Sequence, residues 1–383
     1  MENTWIELDL KILRDNIHSL KKVLGSKPEI IFIVKSNAYG HGLETVARCA
    51  WDAGIRWFAV AYAQEAFKLR EILPEAEIIV VGVVKPKDVP AIIEKRIISV
   101  ITSRKHALLL LRNIKDQPLR CHAKVDTGMG RLGFMWKTAA EELIDLAKEK
   151  GLDVCGICSH FSSSNSPDSK FVNTQAKRFR EVLDTCEQNG FKTLFKHIAN
   201  SGAIFHDSVK NMDGIRPGIL LYGYGKKKES GVPSDERGAG RSQKPEVRKI
   251  ETRPFLRWKT RVVQVKKVPA GFPVSYDGTY VTETETYVAT IDVGYADGYS
   301  RALSNKGFVI IGGKRWPVIG KVTMNLIMVN VGPENSVKEG DEVVLIGKQG
   351  GESVWADEIA ELSGTISYEV LTGIKAEHRA AKT

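Results

Sequence analysis

The chain has 383 residues, is 43% hydrophobic and 27% charged, and carries a net charge of +10 at pH 7. That composition belongs to a soluble globular protein large enough for a barrel plus a second domain. No run reaches the roughly 18 to 20 apolar residues of a membrane helix, the acidic N-terminus lacks the apolar core of a secretory signal, and no membrane partner is expected.

In chain order, Thr4–Leu8 reads as a strand outside the rhythm that follows, and could pair with the C-terminal part of the chain. Eight short apolar, β-branched runs come next: Ile30–Val34, Trp57–Ala61, Ile78–Gly82, Ile97–Ile101, Leu119–Val125, Leu152–Ser159, Leu194–Ile198 and Met212–Ile215. Segments with helical periodicity separate them, among them Leu43–Ala53, Gln64–Leu73, Thr138–Lys150 and Ser169–Asn189. Eight such units predict an α/β fold, an N-terminal (β/α)8 barrel over residues 10–225. No GxGxxG follows any run, which weighs against a dinucleotide fold.

Residues 226–253 are rich in Gly, Ser, Pro and Lys/Arg and poor in apolar side chains. They read as an exposed basic linker that holds much of the net charge, so the charge does not imply nucleic-acid binding. From 254 to 383, Val, Thr and Tyr alternate with charges between turn signals such as Asp277-Gly278 and Gly312-Gly313, which predicts an all-β domain that includes residues 1–9. The five cysteines, Cys49, Cys121, Cys155, Cys158 and Cys186, are odd in number and scattered. They suggest a reducing cytoplasm and no disulfide framework. Cys155 and Cys158 form a CxxC inside an apolar run without a second pair, so no metal site is expected.

Barrel enzymes carry their chemistry at the C-terminal strand ends. Lys35 follows the first run, Lys124 and Arg131 the fifth, His160 the sixth, Asn200 and Ser201 the seventh, and Arg216, Gly218 and Ile219 the eighth. Each alone has a structural explanation, since a lysine after a strand is usually solvated and a lone histidine is usually a hydrogen-bonded core residue. Together they mark a functional rim. A desolvated lysine loses its proton readily and attacks aldehydes. The Ser and Gly after runs seven and eight suit a phosphate. The pair implies pyridoxal 5'-phosphate.

At this point the sequence resembles the alanine racemase family of fold-type III pyridoxal-phosphate enzymes. The resemblance rests on VKSNAYGHG (34–42), KVDTGMGRLGF (124–134), SHF (159–161), HIANSGA (197–203), GIRPGILLYG (214–223), VSYDGTY (274–280), VGYADGYSR (293–301), GKVTMN (320–325) and SYEV (367–370), in order. It implies that Lys35 holds the cofactor aldehyde and acts as one catalytic base, with Tyr276 as the other on the opposite face of the substrate. It assigns the phosphate to Tyr39, Ser201, Gly218, Ile219 and Tyr368, and the pyridine nitrogen to Arg216, with His160 and Asn200 beside the cofactor. Arg131 and the Met324 backbone would bind the substrate carboxylate. Lys124 matches a lysine that family members often carry as a carbamate.

The resemblance further implies a head-to-tail homodimer with shared active sites, in which the β-domain supplies Tyr276 and Met324 to the partner, and cytoplasmic synthesis of D-alanine for peptidoglycan. Two departures bear on the pocket: Asn325 stands where an aspartate is usual, and Thr323 where a cysteine is frequent. They keep open a broader racemase acting on serine. A non-catalytic pyridoxal-phosphate-binding protein is disfavoured because the single-barrel relatives lack both the second domain and Tyr276. Related decarboxylases usually place an acidic residue where Arg216 stands and a cysteine in the β-domain, and this chain has no cysteine after Cys186.

Overall fold

The computed structural model describes residues 4–163, 170–191, 194–204, 211–225, 250–334 and 336–379. The basic stretch 226–249 lies outside the described residues. The chain divides into two compact units, Arg14–Ile33 with Ala50–Arg253, and Met1–Leu13 with Val34–Cys49 and Pro254–Thr383.

The first unit is a closed parallel barrel. Its strands are β1 (Glu29–Ile33), β2 (Trp57–Val60), β3 (Glu77–Val80), β4 (Ile98–Ile101), β5 (Leu119–Asp126), β6 (Leu152–Cys158), β7 (Phe195–Asn200) and β8 (Gly214–Arg216). Neighbours pair in sequence order from β1 to β8, and β8 returns to β1 through Gly214↔Glu29 and Ile215↔Ile30. The first four strands read as nearly unbroken apolar runs because both faces are covered; Ile31, Phe32, Phe58, Ile79 and Val100 are fully buried. β5 differs. Its sequence LRCHAKVD alternates, and residues 122, 124 and 126 share one face.

The helices differ from the sequence reading mainly at their ends. The segment expected over Thr138–Lys150 is helical over Ala139–Leu146, because the chain turns at Gly151 (φ 107°) and the Leu119 N–H donates to the Gly151 carbonyl at 2.9 Å. The end of the linker is not wholly exposed: Ile250 and Thr252 are buried, while Glu251 and Arg253 between and after them face solvent. Asn16 explains this, since its Nδ2 donates to the carbonyls of Leu221 and Arg253 and its Oδ1 accepts from the Arg253 N–H.

In the second unit a long strand, β9 (Leu256–Val268), pairs antiparallel with Trp5–Leu8, from Trp5↔Lys259 to Leu8↔Leu256. β9 also pairs with β10 (Thr286–Ile291). β11 (Phe308–Ile311), β12 (Lys314–Ile319), β13 (Ile327–Asn330) and β14 (Glu342–Gln349) extend the sheet, with the short strands Glu352–Val354 and Glu377–His378 at its two edges. Lys259 is buried between Glu7 (2.9 Å) and Glu342 (3.0 Å), so its charge is matched on both sides. Two short helices, Ala356–Ser363 and Ser367–Gly373, accompany the strands.

Gly156 on β6 lets the barrel hold a histidine inside, since a Cβ there would lie 2.4 Å from His122 Cδ2. Gly156→Ala is therefore expected to cost about 1–3 kcal/mol through overpacking, read as a lower thermal unfolding midpoint. An unchanged midpoint would show that His122 moves aside without penalty.

Candidate active site

The barrel rim is organised by Arg216, the last residue of β8. Its guanidinium is buried and has no carboxylate partner among the described residues. Nη1 donates to the His197 carbonyl at 3.0 Å and to His197 Nδ1; Nη2 donates to the carbonyls of Ser159 and Ile198, with His160 Nδ1 at 3.3 Å. Four of its five N–H groups are thus fixed, and the Nε–H has no partner among the described residues. An arginine offers no acceptor, so His197 Nδ1 must accept and its proton sits on Nε2. That proton points to His122 Nδ1 at 2.8 Å, which places the His122 proton on Nε2. Burial holds both rings neutral, assisted by the Arg216 charge; it pushes the His122 pKa down to about 3 and that of His197 well below its usual value.

Ser201 opens a short turn after β7. Its buried Oγ accepts from the N–H groups of Gly218 (2.9 Å) and Leu220 (3.3 Å). The hydroxyl proton is left to donate, and the Ile219 N–H between those two has no partner among the described residues. Asn200 ends β7, and its Nδ2 reaches the Phe161 carbonyl at 3.4 Å. These donors fit a phosphate, and the leftover Arg216 Nε–H fits the ring nitrogen of a pyridine.

Arg131 is exposed on a loop that Asp126 holds. The carboxylate accepts from the N–H groups of Gly128, Met129, Gly130 and Arg131 at 2.8–3.2 Å. Partial burial opposes its ionisation, but these four donors outweigh burial and hold its pKa below the usual value. Gly133 passes so close to β5 that a Cβ would lie 2.6 Å from the Asp126 nitrogen. Lys124 is buried, and its pKa is lowered by burial first and by the charges of Arg131 and Arg216, against the Cys158 thiol and Asp126. A lysine biased toward the neutral amine is the form that reacts with carbon dioxide.

In the other unit, Lys35 is the second residue after β1. Ser36, Asn37, Ala38 and Tyr39 follow in a left-handed turn, with φ of 53°, 54°, 53° and 51°. That conformation costs about 1–2 kcal/mol per residue, so contacts must hold it. The Leu43 N–H donates to Asn37 Oδ1 at 2.8 Å, and His41 Nδ1 meets the Tyr39 carbonyl at 2.9 Å. Gly40 packs against the Leu371 carbonyl, 2.4 Å from where a Cβ would be. The Tyr39 and Tyr368 rings lie 5.5 Å apart. Burial raises both phenol pKa values, that of Tyr368 to about 12, so both stay O–H donors at neutral pH.

Tyr276 and Met324 are 68% and 55% exposed, unusual for such side chains. Met324 tips a turn closed by Thr323, whose Oγ donates to the Leu326 carbonyl (2.8 Å) and accepts from its N–H (3.1 Å). The Met324 carbonyl accepts from Ala296 at 3.0 Å, and its own N–H has no partner among the described residues. Sequence reasoning assigned no role to His122, His197 or Asp126. The alternation within β5 was the available signal for His122 and Asp126. Among the described residues no group of three His, Cys, Asp or Glu could hold a metal, and all five cysteines are free.

Residues 8–226 match the family model described as alanine racemase, N-terminal domain, and residues 255–381 match alanine racemase, C-terminal domain. The alanine racemase of Carboxydothermus hydrogenoformans is 39% identical over 98% of both chains. The structure of the Bacillus anthracis alanine racemase with bound L-Ala-P is 34% identical with a TM-score of 0.85, covering 98% of this chain and 93% of that one. The Bartonella henselae alanine racemase with covalently bound pyridoxal phosphate is 28% identical with a TM-score of 0.84 over the whole of both chains.

Because its folded pKa is depressed, the stability that Asp126 contributes is present at neutral pH and lost as pH falls through that lowered value. Asp126→Asn is expected to destabilise by about 1 kcal/mol at pH 7, once solvent screening is allowed for. Its unfolding midpoint should converge with that of the wild-type protein in acid. A gap that does not close in acid would show that the carboxylate charge is not what holds the loop.

Proposed function

The chain belongs to the alanine racemase family, and from that premise we propose that it interconverts L- and D-alanine with pyridoxal phosphate, as a cytoplasmic homodimer supplying D-alanine for peptidoglycan. The observation that carries most weight is Arg216. Pyridoxal phosphate, when bound, supplies the electron sink that makes the substrate α-proton acidic. Arg216 tempers that sink. With four N–H groups committed to the protein, it has Nε–H left for the pyridine nitrogen, and it does not give up a proton. By leaving that nitrogen unprotonated, Arg216 would favour prompt return of the α-proton over decarboxylation or transamination.

On this reading Lys35 holds the aldehyde and then acts as one base, and Tyr276 of the partner chain acts as the other. Inversion requires two groups, one removing the proton and one returning it from the opposite face. Tyr39, Tyr368, the Ser201 hydroxyl and the backbone of Gly218 and Ile219 hold the phosphate, and neutral phenols suit that task. His160 and Asn200 flank the ring. Arg131, kept in place by Asp126, takes the substrate carboxylate in a planar two-point contact, joined by the Met324 N–H. Lys124, as a carbamate, would set the orientation of Arg131.

Alanine is favoured over serine by Thr323. Its hydroxyl proton is committed to the Leu326 carbonyl, so it has none to offer a substrate hydroxyl. Purified protein incubated with L-alanine or L-serine in deuterated water should invert alanine and label its α-carbon, with serine turned over more slowly. Serine inverted as fast as alanine would favour the broader racemase, and no inversion of either would overturn the reading.

A further inference from the structure

The two groups assigned to the partner's site, the Tyr276 phenol and the Met324 N–H, ride on separate turns. Both turns belong to the same compact unit. The Tyr276 turn is strained: Ser275 and Asp277 flank the tyrosine at φ 64° and 62°. Four polar contacts join this turn to the stretch leading to Met324, and none is a ladder hydrogen bond. Ser275 Oγ donates to the Lys321 carbonyl at 2.7 Å. Lys321 Nζ pairs with the Asp277 carboxylate and, by that hydrogen bond and its charge, holds the Asp277 pKa below its usual value. Asn305 Oδ1 accepts from the Gly320 N–H at 2.6 Å, while its Nδ2 donates to Thr279 Oγ1 at 3.3 Å. Gly320 itself packs directly on Ser275, since a Cβ there would lie 2.7 Å from the Ser275 Cβ.

Asn305 is therefore a bracket with one arm on each turn, and Lys321 spans the same gap with its carbonyl and its ammonium. Asn305 sits at φ 58°, a conformation that asparagine tolerates better than most residues. It is exposed, as is Asp277, so burial of these side chains contributes little to folding. The proton-transfer distance in a two-base racemase depends on where the phenol stands relative to the bound carboxylate. A mobile Tyr276 turn would spread that distance.

We propose that Asn305 and Lys321 are positioning residues for the Tyr276 base, fixing its turn against the turn that presents Met324 to the substrate carboxylate. The inference rests on the reading of Tyr276 as a base.

The test uses the holoenzyme with Asn305→Gly, which keeps the left-handed backbone and removes only the side chain, together with Lys321→Ala and Lys321→Arg. Amide hydrogen exchange over residues 274–281 and 319–326 should quicken in Asn305→Gly and Lys321→Ala while the global unfolding midpoint holds. Their kcat/KM for alanine should fall about ten- to a hundredfold, with Lys321→Arg recovering most of it. The α-deuterium isotope effect should rise in the direction where Tyr276 removes the proton and fall in the opposite direction, because only the Tyr276 step is slowed. A general loss of active protein would leave both isotope effects as they were, and unchanged isotope effects overturn the proposal. Tyr276→Phe separates the two claims. If it racemises normally, the base reading falls and the positioning role with it. If it is inactive while Asn305→Gly and Lys321→Ala keep wild-type isotope effects, only the positioning role falls.

Discussion

A buried guanidinium without a counter-ion among the described residues is the constraint around which the barrel rim is built. Desolvating such a charge costs several kcal/mol, and here the offset comes from backbone dipoles: the carbonyls of Ser159, His197 and Ile198 converge on Arg216. Ser159 directly follows β6, and His197 and Ile198 lie within β7, so one side chain from β8 ties three neighbouring strands together. His197 and His122 extend the arrangement inward as a chain in which each ring accepts at Nδ1 and donates at Nε2 or holds its proton there. Both rings are neutral, which spares the barrel two more buried charges. Near Arg216 the rim carries Lys124 and Arg131, and among the described residues Asp126 and the Cys158 thiol oppose their charge at Lys124. A rim so charged attracts anions, and the proposed ligands, an amino-acid carboxylate and a phosphate ester, are anions.

In the other unit, the residues assigned to the proposed chemistry stand on strained backbone or are exposed. Four consecutive non-glycine residues after Lys35 adopt a left-handed turn, and Ser275 (φ 64°, ψ −170°) and Asp277 (φ 62°, ψ 9°) also take positive-φ conformations around Tyr276. Strain of this kind persists only where surrounding contacts overdetermine it, and it gathers at functional sites. Tyr276 and Met324 are held on tight turns yet left largely uncovered, as expected of groups that complete a site on a second copy of the chain.

Much of this could be read from the sequence, for identifiable reasons. All eight barrel strands stand within a few residues of the apolar runs, because strands covered on both faces are mostly apolar; the interior polar residues of β5 and β7, such as His122 and His197, are the exceptions. Polar residues near the run ends marked the rim: Lys124 is the last but one residue of the fifth run, and Arg131, His160, Asn200 and Arg216 follow runs. What could not be read depends on partners distant in sequence. Nothing in Ser36-Asn37-Ala38-Tyr39 announces a left-handed turn, since it contains no glycine and is held by tertiary contacts. The burial of Ile250 and Thr252 depends on Asn16, on the helix Leu10–Leu24. Asn305 has no local signature, because its two arms reach Thr279 and Gly320.

The two-base reading, with Lys35 from one chain and Tyr276 from the other, is tested most directly by subunit complementation. Lys35→Ala and Tyr276→Phe homodimers should each be nearly inactive. After the two variants are mixed in equal amounts and allowed to exchange, about half the dimers are mixed, and each mixed dimer has one site with both bases intact and one with neither. About a quarter of wild-type activity should then return for a twofold-symmetric dimer. If mixed dimers are shown to form and no activity returns, the two bases do not come from different chains.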